Sequence, residues 1–147
     1  MNEDTALNTA RKAIQERIDA SLEADKRKER VDIMALDFTL KLLSGEVLDR
    51  QQLEQNKERD QSEIISISDE TRIVIDDLVL NGDEATVHTN QHFVRTVWGR
   101  DGLPHEVITN ITHRELWVNT SRGWLQRHID ELEQGPTFVD GRLYEID

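Results

Sequence analysis

His128 and Asp130 have the residue types and the spacing of an acid–base pair. If they lie on a strand, both side chains point to one face and their Cα atoms are about 6.6 Å apart, within contact for favourable rotamers. His128 would then transfer a proton, Asp130 would orient the imidazole, and Arg114 would steady an enolate or carboxylate of a ligand. The simpler interpretation is a cross-strand ion pair of Arg114 and Asp130, with His128 as an ordinary polar neighbour.

The other residues that could do chemistry predict neither a metal site nor a cofactor. His88 and His92 have the spacing of a helical metal-binding pair, but on a strand that spacing separates them by about 13 Å, too far for one zinc ion. The chain has no cysteine. No serine or threonine lies in a glycine-framed nucleophile turn, and there is no glycine-rich phosphate loop.

The chain is acidic and has the length of one domain. Its 147 residues suit a single domain over 1–147, and 36% hydrophobic against 33% charged residues predicts a small core with a solvated surface. The formal net charge of −12 disfavours nucleic acid and membrane surfaces as partners. Residues 1–5 are too polar for a signal peptide, and no stretch approaches the ~20 apolar residues of a membrane helix. We therefore expect a soluble protein, and its compartment stays open.

The elements that must position these residues are helices followed by strands. Asp4 or Thr5 can cap a helix whose apolar residues recur every three or four positions up to Leu22. The pattern then predicts a second short helix, or a bent continuation of the first, over residues 31–36, and a strand over residues 37–44. A polar helix over residues 51–61 follows, with Asp49 and Gln52 as a capping box.

The rest of the chain reads as a meander of long strands. Apolar or alternating runs cover residues 64–80, 85–98, 106–118 and 124–132, and Asn81-Gly82-Asp83 is a strong hairpin signal between the first two. The glycine- and proline-containing segment 133–147 is typical of an extended strap over the surface. Helices that cover one face of an antiparallel sheet form an α+β fold.

Residues 114–124, Glu131-Leu132 and residues 138–141 resemble the C-terminal pattern of SnoaL-like domains of the nuclear transport factor 2-like superfamily. The resemblance implies a cone-shaped roll, in which a curved antiparallel sheet wraps around N-terminal helices. It also identifies departures: Leu42 stands where ketosteroid isomerases of this superfamily carry a general-base carboxylate, and Thr112 stands near the position of their protonated acid. An isomerase mechanism of that type is therefore not expected.

The same resemblance predicts which side chains face the cavity of the cone. The predicted catalytic residues are His128 and Asp130, and the predicted ligand-binding residues are Thr89, Gln91, Phe93, Thr112, Arg114, Leu116 and Gln126. One β-bulge would reverse any of these assignments, because it moves every following side chain to the other face.

The opposite face of the sheet is predicted to be apolar. Trp98, Trp117, Val94 and Ile111 would form a patch there, which favours a homodimer packed sheet to sheet; packing of these residues in the core under the C-terminal strap is the alternative. The functional hypothesis is a domain that binds a small, largely apolar molecule, with proton transfer of the lyase, isomerase or cyclase type. The alternative is a non-catalytic, homodimeric association domain.

Overall fold

The computed structural model describes residues 3–29 and 31–144. Residues 1–2 of the predicted polar start and residues 145–147 of the predicted strap lie outside the described residues.

Helix α1 (Glu3–Lys26) is the first element of the described residues. Its apolar stripe of Ala10, Ile14 and Ile18 is buried against the sheet, as the periodicity predicts.

Polar residues beside that stripe attach α1 to one edge of the sheet. Gln15 Nε2 donates to the carbonyl of Ile73 at 2.8 Å, and the amide of Ile75 donates to Gln15 Oε1 at 3.1 Å. Arg11 also donates to the carbonyl of Ile75. These contacts satisfy backbone groups of an edge strand that would otherwise be free to pair with another chain.

All strands of the described residues belong to one curved sheet. They are β1 (Met34–Lys41), β2 (Val47–Asp49), β3 (Ile64–Ile67), β4 (Arg72–Asn81), β5 (Glu84–Trp98), β6 (Pro104–Thr120), β7 (Gly123–Gln134), β8 (Phe138–Val139) and β9 (Arg142–Leu143). Helix α2 (Arg50–Glu63) lies between β2 and β3. The strand order is β2-β1-β7-β6-β5-β3, with β4 also on β5, and β8 on β6.

The segment after α1 differs from its prediction. Residues 31–33 form no helix, and β1 begins at Met34, so the predicted second short helix over residues 31–36 is wrong. The helix ends where Lys28 adopts a left-handed backbone, φ 57°. β1 then pairs in parallel with β7, and this makes the sheet mixed instead of wholly antiparallel. Local periodicity does not show such a pairing, because the partner strand lies some ninety residues further along the chain.

The local turn signals give the predicted structures. Asn81 pairs with Glu84 across a two-residue loop in which Gly82 has φ 61°, a conformation that glycine adopts without strain. At the start of α2, the Asp49 and Gln52 side chains accept each other's backbone amides at 2.8 and 2.9 Å, which is the predicted capping box.

The C-terminal strap returns to the sheet. Val139 pairs with Val107 of β6, and β8 and β9 form a short hairpin. Neither helix among the described residues is long and apolar enough to cross a membrane.

Candidate functional site

The space between α1 and the inner face of β5, β6 and β7 holds a cavity of about 200 Å³. We call it the cone cavity. A wider space of about 470 Å³ adjoins it beside β1 and α2, and the two share Ser21, Ile33, Gln126 and Ile129 as lining residues. The apolar wall of the cone cavity comprises Ile18, Leu22, Ile33, Ile73, Phe93 and Ile129. A mostly apolar concave site with a few polar side chains is typical of small-molecule pockets.

Glu115 supplies a buried carboxylate to the cone cavity. The residue is only 2% exposed. Its Oε1 accepts hydrogen bonds from Trp117 Nε1 at 2.9 Å and Gln126 Nε2 at 3.0 Å, and its Oε2 accepts one from Thr89 Oγ1 at 3.0 Å. These three donors compensate the desolvation of the charged group.

The protonation of Glu115 follows from two opposing effects. Burial alone would raise its pKa, because desolvation penalises the charged form. Interactions with His113, Trp117 and Gln126 outweigh burial and bring the pKa below its usual range. Glu115 is therefore a carboxylate near neutral pH.

His113 lies beside that carboxylate on the same face of β6. Its side chain is 12% exposed, and its Nδ1 lies 3.5 Å from Glu115 Oε2 and 2.6 Å from Gln91 Nε2. In this amide orientation Gln91 donates to Nδ1, so the neutral imidazole carries its proton on Nε2. In the imidazolium both ring nitrogens carry protons, and the Nδ1–H faces Glu115 Oε2. Nε2 is buried and has no hydrogen-bond partner in the described part of the chain; Glu131 Oε2 is 3.9 Å away. A buried donor without a partner is costly and is available to a ligand.

Several of the predicted ligand-binding residues lie at this site. Gln91, Phe93 and Gln126 line the cone cavity, and Thr89 contacts Glu115. Leu42, which the resemblance sets at the position of the isomerase carboxylate, lines the adjoining space. Whether these residues bind a ligand stays a prediction.

The predicted orientation of β6 is wrong. Cross-strand register pairs Val87 with Glu115 and Thr89 with His113, and directly paired residues share a face. Since Val87 and Thr89 are buried beneath α1, His113 and Glu115 face the cone cavity. The alternating residues Thr112, Arg114, Leu116 and Val118 therefore lie on the outer face of the sheet.

A β-bulge moves the predicted catalytic pair to that outer face as well. Trp117 pairs with Gln126 but Leu116 pairs with His128, so Arg127 is an extra residue in β7. Gln126 thus points inward and His128 outward, with 32% of the His128 side chain exposed. The predicted placement of His128 and Asp130 in the cavity is therefore wrong, because the bulge inverts the alternation between Gln126 and His128.

The outer face nevertheless brings the three predicted polar residues together. His128 Nε2 lies 2.8 Å from Asp130 Oδ1, and Arg114 donates to Asp130 Oδ2 at 3.0 Å. Thr39 Oγ1 lies 2.7 Å from His128 Nδ1. Burial raises the pKa of Asp130, but His128 and Arg114 outweigh it, so its pKa is lower than usual. Both contacts that the sequence suggested are present, outside the cavity, and a catalytic role for His128 and Asp130 stays untested.

The predicted apolar patch on the outer face is also incorrect in part. Trp117 is 0% exposed and lies in the core with Ile14 and Val87, and Val94 is buried as well. Trp98 does lie at the surface, 54% exposed. Most of the apolar surface on which the prediction of a homodimer depended is therefore buried within the chain.

The sequence reasoning missed His113 and Glu115. The signal that could have found them is Trp117, the largest apolar side chain of the strand, which shares their alternation and belongs in a core. In the described ranges 3–29 and 31–144, no group of three or more His, Asp and Glu residues is placed to hold a metal ion.

Comparisons with known proteins agree on the fold. No family model matches the sequence, and no curated protein matches it either. A proposed scytalone dehydratase from Novosphingobium aromaticivorans is similar in structure with a TM-score of 0.74 at 15% identity, over 97% of this chain and 93% of that chain. A nuclear transport factor 2-like protein from Cytophaga hutchinsonii has a TM-score of 0.50 at 14% identity, over 89% and 98% of the two chains.

A third similar structure is an association domain. The association domain of CaMKII from Caenorhabditis elegans has a TM-score of 0.55 at 12% identity, over 87% of this chain and 98% of that chain. The protein described here therefore has the nuclear transport factor 2-like, or SnoaL-like, α+β cone fold. This confirms the fold that the resemblance predicted. At these identities the comparisons establish the fold and leave the activity open.

Proposed function

We propose that the protein binds a small, largely apolar molecule in the cone cavity and exchanges a proton with it through His113. The observation that carries this proposal is the buried Nε2 of His113, which has no partner in the described part of the chain and lies in a residue lining the cavity. A desolvated histidine beside a carboxylate is a typical acid–base arrangement.

The arrangement can act in a simple sequence. The Nε2–H of neutral His113 can donate a hydrogen bond to a ligand oxygen, while Gln91 donates to Nδ1 on the other side of the ring. When Nδ1 takes up a proton, the Glu115 carboxylate at 3.5 Å stabilises the imidazolium. The imidazolium can then transfer its Nε2 proton to a basic atom of the ligand and return to the neutral ring. Ile18, Ile73 and Phe93 would contact the apolar part of the ligand and exclude water.

Native mass spectrometry of the purified protein, with two matched histidine variants, tests this proposal. The expected result is a retained small-molecule mass that is lost or strongly reduced in His113→Ala and unchanged in His128→Ala, because only His113 lies in the cavity wall. Retention of the same mass by both variants, or loss only in His128→Ala, would reject the role of His113.

The association function is a second candidate, favoured by the similarity to the CaMKII association domain. The outer face around Arg114, Leu116 and His128 exposes half of the Arg114 side chain and a third of the His128 side chain, and this polar face is the surface on which a second copy would pack. Light scattering during gel filtration measures the subunit count. A monomer at micromolar concentration, with the ligand retained, favours the binding function alone.

A further inference from the structure

A second, smaller pocket lies at the C-terminal end of α1. Its volume is about 140 Å³, and Ile64, Ile67 and Phe93 supply its apolar part. It shares Asp25 and Phe93 with the cone cavity, so the two spaces adjoin. We call it the lysine pocket, because its other lining residues include Lys26, Lys28 and Lys57.

Two of the three lysines are already engaged. Lys26 Nζ lies 3.0 Å from Glu23 Oε1 and 3.5 Å from Asp69 Oδ1. Lys57 Nζ lies 3.0 Å from Asp25 Oδ1, which joins α2 to α1 across the pocket. The ammonium group of Lys28, by contrast, has no ion-pair partner within the described ranges.

The backbone of Lys28 is the second observation. Its φ of 57° is left-handed, at the turn where the Glu29 amide bonds back to the carbonyl of Ala24 at 2.8 Å. Glycine is the usual residue at such a helix end, since any other side chain costs conformational energy there. Strained positions of this kind cluster at ligand sites, where the side chain is needed. Lys28 therefore brings a positive charge, without an ion-pair partner in the described ranges, to the lining of an apolar pocket. The chain as a whole has a net charge of −12.

We infer that the lysine pocket binds the carboxylate of a small apolar acid, with Lys28 as its cationic contact. The inference rests on the proposed function, because the apolar body of the same ligand would lie beside Phe93 and enter the cone cavity. It narrows the ligand class from apolar molecules to apolar carboxylic acids. An acidic protein needs such a local cation to admit an anion that its overall charge repels.

A matched pair of probes tests the inference. Calorimetric titration compares 4-phenylbutyrate with 4-phenyl-1-butanol, which has the same skeleton and no charge. We expect the acid to bind on the order of fivefold more tightly at low ionic strength, with the difference shrinking as salt is added. Lys28→Gln should remove the difference while the alcohol binds as before. Lys41→Gln, which removes the charge of an exposed lysine on β1 outside the pocket lining, should keep it.

The outcomes separate the two proposals. Equal affinity for acid and alcohol, with no effect of Lys28→Gln, overturns the carboxylate inference and leaves the cone cavity as a binding site. If neither probe binds at millimolar concentration, the inference and the proposed function both fail.

Discussion

His113 Nδ1 and Glu115 Oε2 lie 3.5 Å apart on the inner face of β6, while Arg114 between them donates to Asp130 on the outer face. One strand therefore carries two polar systems on opposite sides of the sheet. The inner one is sealed beneath α1 and is joined to the core through Trp117; the outer one is open to a partner or to solvent. Only the inner system combines burial, a carboxylate and a cavity.

The hydrogen bonds of Glu115 should make it a stability determinant. Glu115→Gln replaces one acceptor oxygen with an NH2 group. If Oε1 is replaced, the NH2 group faces the donors of Trp117 and Gln126; if Oε2 is replaced, it faces the hydroxyl of Thr89. We expect the free energy of unfolding to fall by about 1–3 kcal/mol at pH 7, because a buried donor loses its acceptor. Urea unfolding measures this. Glu106→Gln, at an exposed residue of β6, is the control and should change stability little. An unchanged midpoint for Glu115→Gln contradicts the proposed network.

The same carboxylate predicts a dependence of stability on pH. The pKa of Glu115 is lower in the folded protein than its ordinary value of 4.5, since its donors outweigh desolvation. A lowered pKa contributes stability that is present in full above about pH 4.5 and is lost as the pH falls through the folded-state pKa. Below pH 4.5 the parent protein should therefore lose stability more steeply than Glu115→Gln. Parallel curves of unfolding free energy against pH would show that Glu115 has no such role.

The parts of the fold that depend on neighbours in sequence were predictable. The stripe of α1, the Gly82 turn and the capping box of Asp49 follow from spacing and turn chemistry alone. The parallel pairing of β1 with β7 was not, because it joins segments distant in sequence.

The candidate site was predicted only in part, for a different reason. Alternation identifies a face only if the strand is regular, and the extra residue Arg127 inverts the alternation between Gln126 and His128. Glu115 was missed because the resemblance placed Thr112, Arg114 and Leu116 in the cavity, and therefore Glu115 on the opposite face. Its burial depends on donors from β5 and β7, which the sequence of β6 alone does not show.

A histidine latch fixes the C-terminal strap. His105 Nδ1 lies 2.6 Å from Asp140 Oδ2 and its Nε2 lies 2.7 Å from Asp101 Oδ2, so both ring nitrogens face carboxylates. The hydrogen bond to Asp140, followed by that to Asp101, raises the pKa of His105 above 6.5. The latch is therefore complete below about pH 6.5 and is lost as the pH rises through the raised pKa.

Hydrogen exchange of amides next to β8 and β9 tests the latch. We expect exchange of the Asp140 and Tyr144 amides, which donate to the carbonyls of Glu106 and Thr137, to accelerate above that pKa after correction for its intrinsic pH dependence. His105→Gln should show fast exchange at every pH. Protection that is independent of pH in the parent protein, or equal in His105→Gln, argues that the backbone pairing of β8 with β6 fixes the strap alone.

Lys28→Gly should make the protein more stable and weaken its binding of the acid. Glycine relieves the left-handed backbone at φ 57°, so we expect the free energy of unfolding to rise by about 0.5–1 kcal/mol, allowing for the extra freedom of glycine in the unfolded chain. The same change removes the ammonium group from the lysine pocket, so affinity for 4-phenylbutyrate should fall. Urea unfolding and calorimetric titration of one preparation measure both effects. Lys28→Asn is the matched variant, since asparagine tolerates the left-handed region yet carries no charge, and it should bind as weakly as the glycine variant. A more stable Lys28→Gly protein that binds the acid as tightly as the parent would mean that the strained lysine does not contact the ligand.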